Sequence, residues 1–242
     1  MKNILITGSA SGIGFELAKI FHEVGENVYL NNNNIKRLKK ASKILGNSKY
    51  YLCDVTNQSS IKKAFKKMKK DGVKLDVLIC NYGNSLPKNN HLNFEHAFKH
   101  NFFSAVNVVE ASIKLLKKNA KIICISSICG NEILKGAPLG YSLAKNSLIN
   151  FVKTYSELLK DKDITINSIS PGNIRFKNSM WDKKIKKNPE LLDPSNTNKP
   201  LVFESVRDIY NVCFYILKMN TFESGSNFLT SVTKGTKPFK NF

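Results

Sequence analysis

Three side chains with complementary acid–base chemistry follow one another in the middle of the chain. Ser127 precedes Tyr141 by fourteen residues, and Lys145 follows Tyr141 by four. A phenol can give or take a proton, an ammonium group favours its phenolate form, and a hydroxyl can donate a hydrogen bond to a carbonyl oxygen. If Gly140 to Leu158 is helical, Tyr141 and Lys145 lie on one face. The set predicts proton transfer to or from an oxygen atom.

The N-terminal segment supplies the context that this chemistry needs. A tyrosine and a lysine four residues apart are expected about once by chance in a chain of this composition, so placement has to carry the argument. Asn3 to Thr7 is a short apolar run typical of a buried strand, and the glycine-rich turn Thr7 to Gly14 follows at once. Apolar residues then recur at helical spacing up to Gly25. A glycine turn between strand and helix indicates a dinucleotide-binding site, since the helix N-terminus offers free N–H groups to a pyrophosphate.

Strand-like runs alternate with amphipathic stretches along the rest of the chain. The runs are 27–30, 50–53, 77–80, 121–126 and 164–169. This alternation predicts an α/β protein with a three-layer, doubly wound (Rossmann) fold, in which a parallel sheet of about seven strands is covered on both faces. Ligands then bind beyond the carboxyl ends of the strands. The residues at those ends are Gly8, Asn32, Asp54, Asn81, Ser127, Pro171 and Gly172.

Length and composition favour one intracellular domain. The 242 residues show no linker or internal repeat, so residues 1–242 are expected to form a single domain. The apolar run at the N-terminus is too short for a signal peptide or a membrane span, which favours a soluble cytoplasmic protein. Five widely spaced cysteines are interpreted as buried thiols rather than a disulfide or zinc framework.

The net charge of +20 invites a second interpretation, namely binding of nucleic acid or an anionic membrane. In Ile61 to Lys70, however, apolar residues fall at helical spacing, so the lysines form the solvated face of an amphipathic helix. We therefore expect neither nucleic acid nor membrane as a partner.

Taken together and in order, these motifs resemble the single-domain branch of the short-chain dehydrogenase/reductase family over nearly the whole chain. The resemblance implies NAD(P)-dependent hydride transfer between nicotinamide and a carbonyl or secondary alcohol. The catalytic residues that it implies are Asn101, Ser127, Tyr141 and Lys145. The cofactor-binding residues that it implies are Gly8, Ser9, Ser11, Gly12, Ile13, Gly14, Asn32, Asp54, Val55, Asn81, Gly83, Tyr141, Lys145, Pro171, Gly172 and Ile174. No metal is implied.

The resemblance also implies a role for each catalytic residue. Ser127 would donate a hydrogen bond to the substrate oxygen, and Tyr141 would act as general acid or base. Lys145 would lower the pKa of Tyr141 and bind the cofactor ribose. Asn101, in the helical stretch Phe94 to Lys117, would hold a water molecule of a proton relay.

The chain departs from the family pattern at several positions. Cys80 and Tyr82 replace the usual Asn and Ala beside Asn81, and the size of Tyr82 could crowd the adenosine pocket, although a core aromatic is an equal alternative. Phe176 replaces a Thr that often meets the cofactor. Residues 231–233 replace Asp-Gly-Gly in a region that commonly contributes to tetramer contacts. The fourteen-residue spacing implies one extra residue between Gly130 and Gly140, since thirteen is usual.

The resemblance leaves coenzyme, substrate and assembly open. Asn32 stands where NAD enzymes usually carry Asp, while Lys36 and Arg37 are near enough to attract a 2′-phosphate, which slightly favours NADP(H) over NAD(H). Residues 173–203 occupy the position of the substrate lid; their lysines favour a solvated face over an acidic substrate. A 3-oxoacyl thioester, a sugar or nucleotide-sugar, and a small ketone or alcohol all suit the chemistry. A homodimer or homotetramer is expected, and a non-catalytic dinucleotide-binding regulator is the alternative function.

Overall fold

The computed structural model of the protein describes residues 1–84, 91–132, 134, 137–192, 203–219 and 223–230, the side chains of 91–93 and 191 excepted. The strands of this part of the chain are β1 (Asn3–Ile6), β2 (Asn27–Asn32), β3 (Tyr50–Leu52), β4 (Leu75–Cys80), β5 (Leu116–Ile125), β6 (Thr165–Ser170), β7 (Asn173–Ile174), β8 (Phe203–Glu204) and β9 (Asn227–Leu229). Seven of them form one sheet in the order β3-β2-β1-β4-β5-β6-β9, and every neighbouring pair is parallel. The predicted parallel sheet is confirmed.

Helices cover both faces of this sheet. They are α1 (Gly12–Glu23), α2 (Ile35–Ile44), α3 (Gln58–Lys70), α4 (His91–Phe98), α5 (Ser104–Ser112), α6 (Leu139–Leu159), α7 (Met180–Lys187) and α8 (Val206–Lys218). Successive strand residues point to opposite faces; Ile122 packs with the core formed by α3, α5 and α6, whereas Ile123 packs with that of α1, α2 and α8. The result is the three-layer, doubly wound arrangement predicted from the alternating pattern.

The lysine-rich helix α3 behaves as its spacing predicts. Ile61, Phe65 and Met68 are buried against the sheet, while the lysines between them are exposed. The Asn57 side chain begins the helix by accepting a hydrogen bond from the Ser60 N–H at 2.9 Å. The basic charge on this face is therefore solvated surface.

The predicted helical stretch Phe94 to Lys117 is helical up to Leu115, but its form changes at Asn101. Between α4 and α5, residues Lys99–Phe103 form a π-helical turn, and β5 already begins at Leu116. Such turns inside α-helices are rare and frequently lie at functional sites. Asn101 stands in the centre of this turn and is 1% exposed.

Other expectations about the chain are met in part. Four of the five cysteines are buried, and Cys129 is partly exposed. Among the described residues, no helix is long and apolar enough to cross a membrane. The unusual residues 231–233 lie outside the described residues, as do parts of the loop 131–138 that would contain the extra residue.

Candidate active site

The glycine turn between β1 and α1 has the backbone that a phosphate site requires. Gly8 and Gly12 adopt φ values of +66° and +65°, which favour glycine. A Cβ at Gly14 would lie 2.4 Å from the Asn81 side-chain nitrogen and 2.9 Å from the Gly8 carbonyl oxygen, so only glycine fits there. Ser11 precedes α1, is exposed and makes no side-chain capping bond. The first N–H groups of α1 and the Ser11 hydroxyl are thus suited to holding an anionic pyrophosphate.

Two side chains, those of Ser9 and Asn31, support this turn from inside the fold. Ser9 is fully buried, and its hydroxyl donates to the Ile6 carbonyl at 2.7 Å and accepts from the Asn31 N–H at 3.0 Å. Ser9 is therefore a structural residue, with its hydroxyl turned into the fold. Asn31, which the sequence reasoning did not single out, accepts from the Gly8 N–H at 3.3 Å and donates to the carbonyls of Tyr51 and Cys53. The sequence around Asn31 gives no signal of these contacts, because their partners lie at the ends of other strands.

Hydrogen bonds between Thr7 and Asn81 join the ends of β1 and β4. The Thr7 hydroxyl accepts from the backbone N–H groups of Asn81 and Tyr82 at 3.0 and 3.1 Å. The Asn81 side chain returns a bond to the Thr7 carbonyl at 2.9 Å. Asn81 therefore positions the glycine turn against the segment that leads to Gly83.

Asp54 and Val55 follow β3 at the same edge of the sheet. Burial opposes ionisation of Asp54, but two hydrogen bonds from Thr56, at 2.9 and 2.8 Å, and the charges of His100 and Lys99 hold its pKa below the ordinary value. Val55 is 3% exposed. An ionised acceptor next to an apolar residue suits the edge and face of an adenine ring.

Asn101 is clamped to the backbone that follows Gly83. Its amide nitrogen donates to the Asn84 carbonyl at 2.6 Å and to the Ala97 carbonyl at 3.0 Å, and its oxygen accepts from the Asn84 N–H at 3.0 Å. A Cβ on Gly83 would lie 2.8 Å from that oxygen and 3.3 Å from the Lys145 nitrogen. Gly83, Asn101 and Lys145 thus converge on one point.

Ser127 and Tyr141 are brought together from two different elements. Ser127 follows β5 and caps the short 3-10 turn Ile128–Gly130, where its hydroxyl accepts from the Cys129 N–H at 3.2 Å. Tyr141 lies in the first turn of α6, and the Ser127 hydroxyl is close enough to the Tyr141 phenol to lower its pKa. The two predicted residues are therefore neighbours in the structure.

The expected effect of Lys145 on Tyr141 is not present in this structure. Burial raises the pKa of Tyr141 to about 12, against the lowering effect of the Ser127 hydroxyl. The Lys145 nitrogen lies 5.8 Å from the Tyr141 ring centre and donates to the Ile125 carbonyl at 2.7 Å. Burial lowers the pKa of Lys145 to about 8, although charge interactions with Cys124 and Cys129 oppose this shift. The prediction of a lowered phenol pKa is wrong here because desolvation dominates.

Tyr82 lies beside the glycine turn and reaches towards the π-helical turn. Its phenol oxygen is 2.6 Å from Nδ1 of His100, whose ring stacks on that of His96 at 4.0 Å between centroids. The Asn84 side chain is 3.3 Å from Nε2 of His96. Tyr82 also packs against the core on this side of the sheet. This hydrogen bond fixes the Tyr82 phenol to His100 in the π-helical turn. Tyr82 therefore acts as the core aromatic named as the alternative above, with its hydroxyl paired to a histidine.

The loop after β6 is tied to the serine segment. The Pro171 carbonyl accepts from the Ile128 N–H at 2.9 Å, and Ile174, in β7, is 6% exposed. The Phe176 ring packs into the core with α1 and α8. Phe176 therefore packs against the core where the family has a Thr, and Gly172 is partly exposed.

Asn32 and the lysines of the lid lie near the rim of the site. The Asn32 side-chain oxygen accepts from the Asn34 N–H at 2.9 Å, and Lys36 and Arg37 are exposed in the first turn of α2. In the described part of the lid, the lysines of α7 are exposed; Lys186 pairs with Asp182 at 2.9 Å, and Lys184 lies 4.7 Å from the Trp181 ring centre. These lysines are exposed, as a solvated face requires, and their role towards a substrate stays a prediction.

Comparisons with known proteins identify the family of the chain. A family model described as enoyl-(acyl carrier protein) reductase matches residues 8–230. The 3-oxoacyl-(acyl-carrier-protein) reductase FabG of Rickettsia felis is 30% identical over 200 residues, which are 79% of each chain. Short-chain dehydrogenase reductase 3b of Arabidopsis thaliana is 30% identical over 185 residues, 70% of each chain. An NADPH-bound short-chain oxidoreductase from Pseudomonas aeruginosa, described as containing an atypical catalytic center, superposes with a TM-score of 0.84 at 17% identity over 97% of this chain and 98% of that one.

The chain belongs to the short-chain dehydrogenase/reductase family. It is an NAD(P)-dependent oxidoreductase that acts on carbonyl or alcohol groups, and the comparisons support this function rather than a non-catalytic regulator. The glycine turn, with its positive φ angles and the space kept free at Gly14, fits a bound nicotinamide dinucleotide.

Proposed function

We propose that the protein reduces the ketone of a 3-oxoacyl thioester with NADPH. The observation that carries the reaction chemistry is that Ser127 and Tyr141 are neighbours, together with the convergence of Gly83, Asn101 and Lys145. The substrate class rests on the reductase names of the relatives that match most of the chain. A sugar or a small ketone remains the alternative that the experiment separates.

In this reaction the bound dinucleotide supplies the hydride. Ser127 donates a hydrogen bond to the substrate ketone oxygen, and Tyr141 delivers its phenolic proton to that oxygen as negative charge develops. Lys145 and Asn101 connect the phenol to solvent through ordered water, with the Asn101 side-chain oxygen beside Gly83. The predicted cofactor-binding residues stay part of this proposal, with Ser9 supporting the glycine turn through its buried hydroxyl.

The preference for NADPH rests on charge at the end of β2. Asn32 offers no carboxylate to repel a 2′-phosphate, and its side-chain oxygen is engaged by the Asn34 N–H. Lys36 and Arg37 are exposed in the following turn. A phosphate that reaches this turn gains a charge-assisted hydrogen bond.

Fluorescence titration with NADPH and NADH, side by side at moderate salt, tests the coenzyme. Turnover assays then compare a 3-oxoacyl thioester, an oxidised sugar and a small ketone at equal concentration. We expect tighter binding of NADPH and highest kcat/KM for the thioester. Failure to bind either dinucleotide contradicts the whole proposal, whereas a preference for another carbonyl contradicts only the substrate.

We also propose that the chain forms one cytoplasmic domain that assembles as a homodimer or homotetramer. Large apolar side chains are exposed on α6 and α8, among them Leu143, Leu158 and Phe214, which are 44%, 66% and 46% exposed. Exposed apolar area of this kind is typical of protein interfaces. Light scattering of the purified protein measures the assembly directly.

A further inference from the structure

Glu204 is fastened to the loop that borders the site. It ends β8, which pairs in parallel with β7 so that Glu204 lies opposite Ile174. The Glu204 carbonyl accepts from the Arg175 N–H at 2.8 Å. Directly after it, Ser205 and Asp208 form a capping box that begins α8. The backbone of Glu204 is therefore held on both sides.

The two carboxylate oxygens of Glu204 have unequal surroundings. Oε2 accepts from the Gly172 N–H at 3.4 Å and from the hydroxyl of Thr230. Oε1 is buried and has no hydrogen-bond partner within the part of the chain that the structure describes. An ionised carboxylate oxygen is an acceptor only, and leaving it buried and unpaired is costly.

The position of this oxygen connects it with the chemistry of the site. Gly172 follows Pro171, whose carbonyl accepts from Ile128, the residue next to Ser127. The carboxylate is thus joined to the catalytic serine segment through one short loop. An unpaired acceptor at such a place points to a ligand that brings an N–H or O–H group.

We propose that Glu204 is a cofactor-positioning residue whose Oε1 accepts a hydrogen bond from the carboxamide N–H of nicotinamide. This inference rests on the proposed cofactor function of the Pro171–Ile174 loop. The carboxamide is the part of a nicotinamide dinucleotide that carries a neutral N–H donor at its reactive end. Position 176 offers no hydroxyl to this group, because it is a Phe, whose partly buried ring packs against the core.

Substitution of Glu204 by Gln replaces the unpaired acceptor Oε1 with a hydrogen-bond donor of nearly the same size. Oε2 receives two donors, so the carbonyl oxygen of the new amide takes that place and the NH₂ group takes the place of Oε1. The position then presents a donor. A carboxylate ligand, which the Glu204 charge repels, becomes favourable there.

The experiment measures the binding of three ligands to the wild type, to Glu204→Gln and to the control Glu23→Gln, an exposed residue of α1. The ligands are NADP⁺, its nicotinic-acid analogue with a carboxylate in place of the carboxamide, and 2′-phospho-ADP-ribose, which lacks the ring. Isothermal titration gives each Kd, and thermal unfolding checks that every variant is folded.

We expect the preference of the wild type for NADP⁺ over the acid analogue to fall by about tenfold in Glu204→Gln, a change of about 1.4 kcal/mol. Binding of 2′-phospho-ADP-ribose should stay within about twofold, and Glu23→Gln should match the wild type. An unchanged preference in Glu204→Gln overturns the inference, as does a loss of 2′-phospho-ADP-ribose binding, which would mark Glu204 as purely structural. If no dinucleotide binds the wild type, the proposed function itself fails.

Discussion

The Lys145 ammonium donates a hydrogen bond to the Ile125 carbonyl at 2.7 Å, while its nitrogen stays 5.8 Å from the centre of the Tyr141 ring. The lysine is 3% exposed, and Ile125 is the last residue of the strand that precedes Ser127. In this arrangement a buried charge is compensated by one backbone oxygen. Lys145 therefore links α6 to β5, in addition to the role proposed for it towards the cofactor.

This burial predicts a pH-dependent stability. The pKa of Lys145 is lowered to about 8 in the folded protein, whereas an unfolded lysine titrates near 10.4. Between these values the unfolded chain binds more protons, so the folded state gains stability as the pH rises. Relative to Lys145→Met, the wild type should gain about 2 kcal/mol in free energy of unfolding from pH 8 to pH 10. Urea unfolding under reducing conditions measures this difference.

The comparison should stop near pH 10. Tyr141, whose pKa is raised to about 12, keeps its proton in the folded state and begins to lower stability above that pH. Identical pH dependence in the wild type and Lys145→Met would show that Lys145 is not charged and buried as described.

The Ser127–Tyr141 pair predicts which substitutions remove catalysis. Tyr141→Phe keeps the ring but removes the proton donor, so kcat should fall at least about 100-fold while cofactor affinity stays within a few-fold. Ser127→Ala should reduce kcat by a smaller factor and also raise the KM of the carbonyl substrate. Steady-state kinetics with NADPH titration separates these effects. The matched control is Tyr155→Phe, at a partly buried tyrosine farther along α6. Turnover retained in Tyr141→Phe would refute the assignment of Tyr141 as the acid.

Two glycines should separate cofactor binding from turnover. Alanine at Gly14 places a Cβ 2.4 Å from the Asn81 amide and 2.9 Å from the Gly8 carbonyl, so dinucleotide affinity and stability should both fall, the latter by about 1–3 kcal/mol. Alanine at Gly83 presses on the Asn101 oxygen at 2.8 Å, so kcat should fall by about tenfold or more. Binding of 2′-phospho-ADP-ribose, with kcat, distinguishes the two variants.

Gly72→Ala is the control for these glycine variants. Gly72 has a positive φ, of +70°, unlike Gly14 and Gly83, and no atom lies within 4 Å of its added Cβ. This variant should lose some stability from backbone strain and keep both cofactor affinity and kcat. A loss of affinity as large as that of Gly14→Ala would show that the contact with Asn81 does not explain the effect, because Gly72→Ala makes no such contact.

The Tyr82–His100 contact predicts sensitivity to acid. Burial lowers the pKa of His100, the neighbouring His96 and Lys99 lower it further, and only Asp54 raises it. The folded state therefore binds fewer protons than the unfolded chain below pH 6.5, and the wild type should lose stability as the pH falls through this range. His100→Asn should lose less, as unfolding curves from pH 7.5 to 5 would show. Tyr82→Phe should be less stable by about 1 kcal/mol at neutral pH; equal stability would contradict the hydrogen bond.

Sequence periodicity was sufficient to predict the parallel sheet, whereas Gly83 and Asn101 were predicted as site residues only from the family resemblance. Periodicity could not show the π-helical turn, because apolar spacing from Phe94 onward fits a continuous helix, and the extra residue in one turn has no local signal. The roles of Asn31 and Glu204 could not be predicted from the sequence for a related reason. Their importance comes from contacts with residues 22 and 32 positions away in the chain, and nothing in their own neighbourhood predicts those contacts.

The sequence also could not predict the direction in which the pKa of Tyr141 shifts. Spacing shows that Tyr141 and Lys145 share a helix face, but it does not show how much water each group loses or that Ile125 takes the lysine hydrogen bond. The balance between desolvation and charge depends on packing.

The π-helical turn at Lys99–Phe103 also sets the rotation of α5 about the helix axis relative to α4. Each residue of an α-helix advances the chain by about 100° around the axis, so the additional residue turns α5 relative to α4 by roughly that angle. With this offset Val108, Val109 and Ser112 of α5 face the sheet. Deleting a single residue from Lys99–Phe103 would rotate the buried residues of α5 towards solvent. The turn that positions Asn101 therefore also determines which residues of α5 pack into the core.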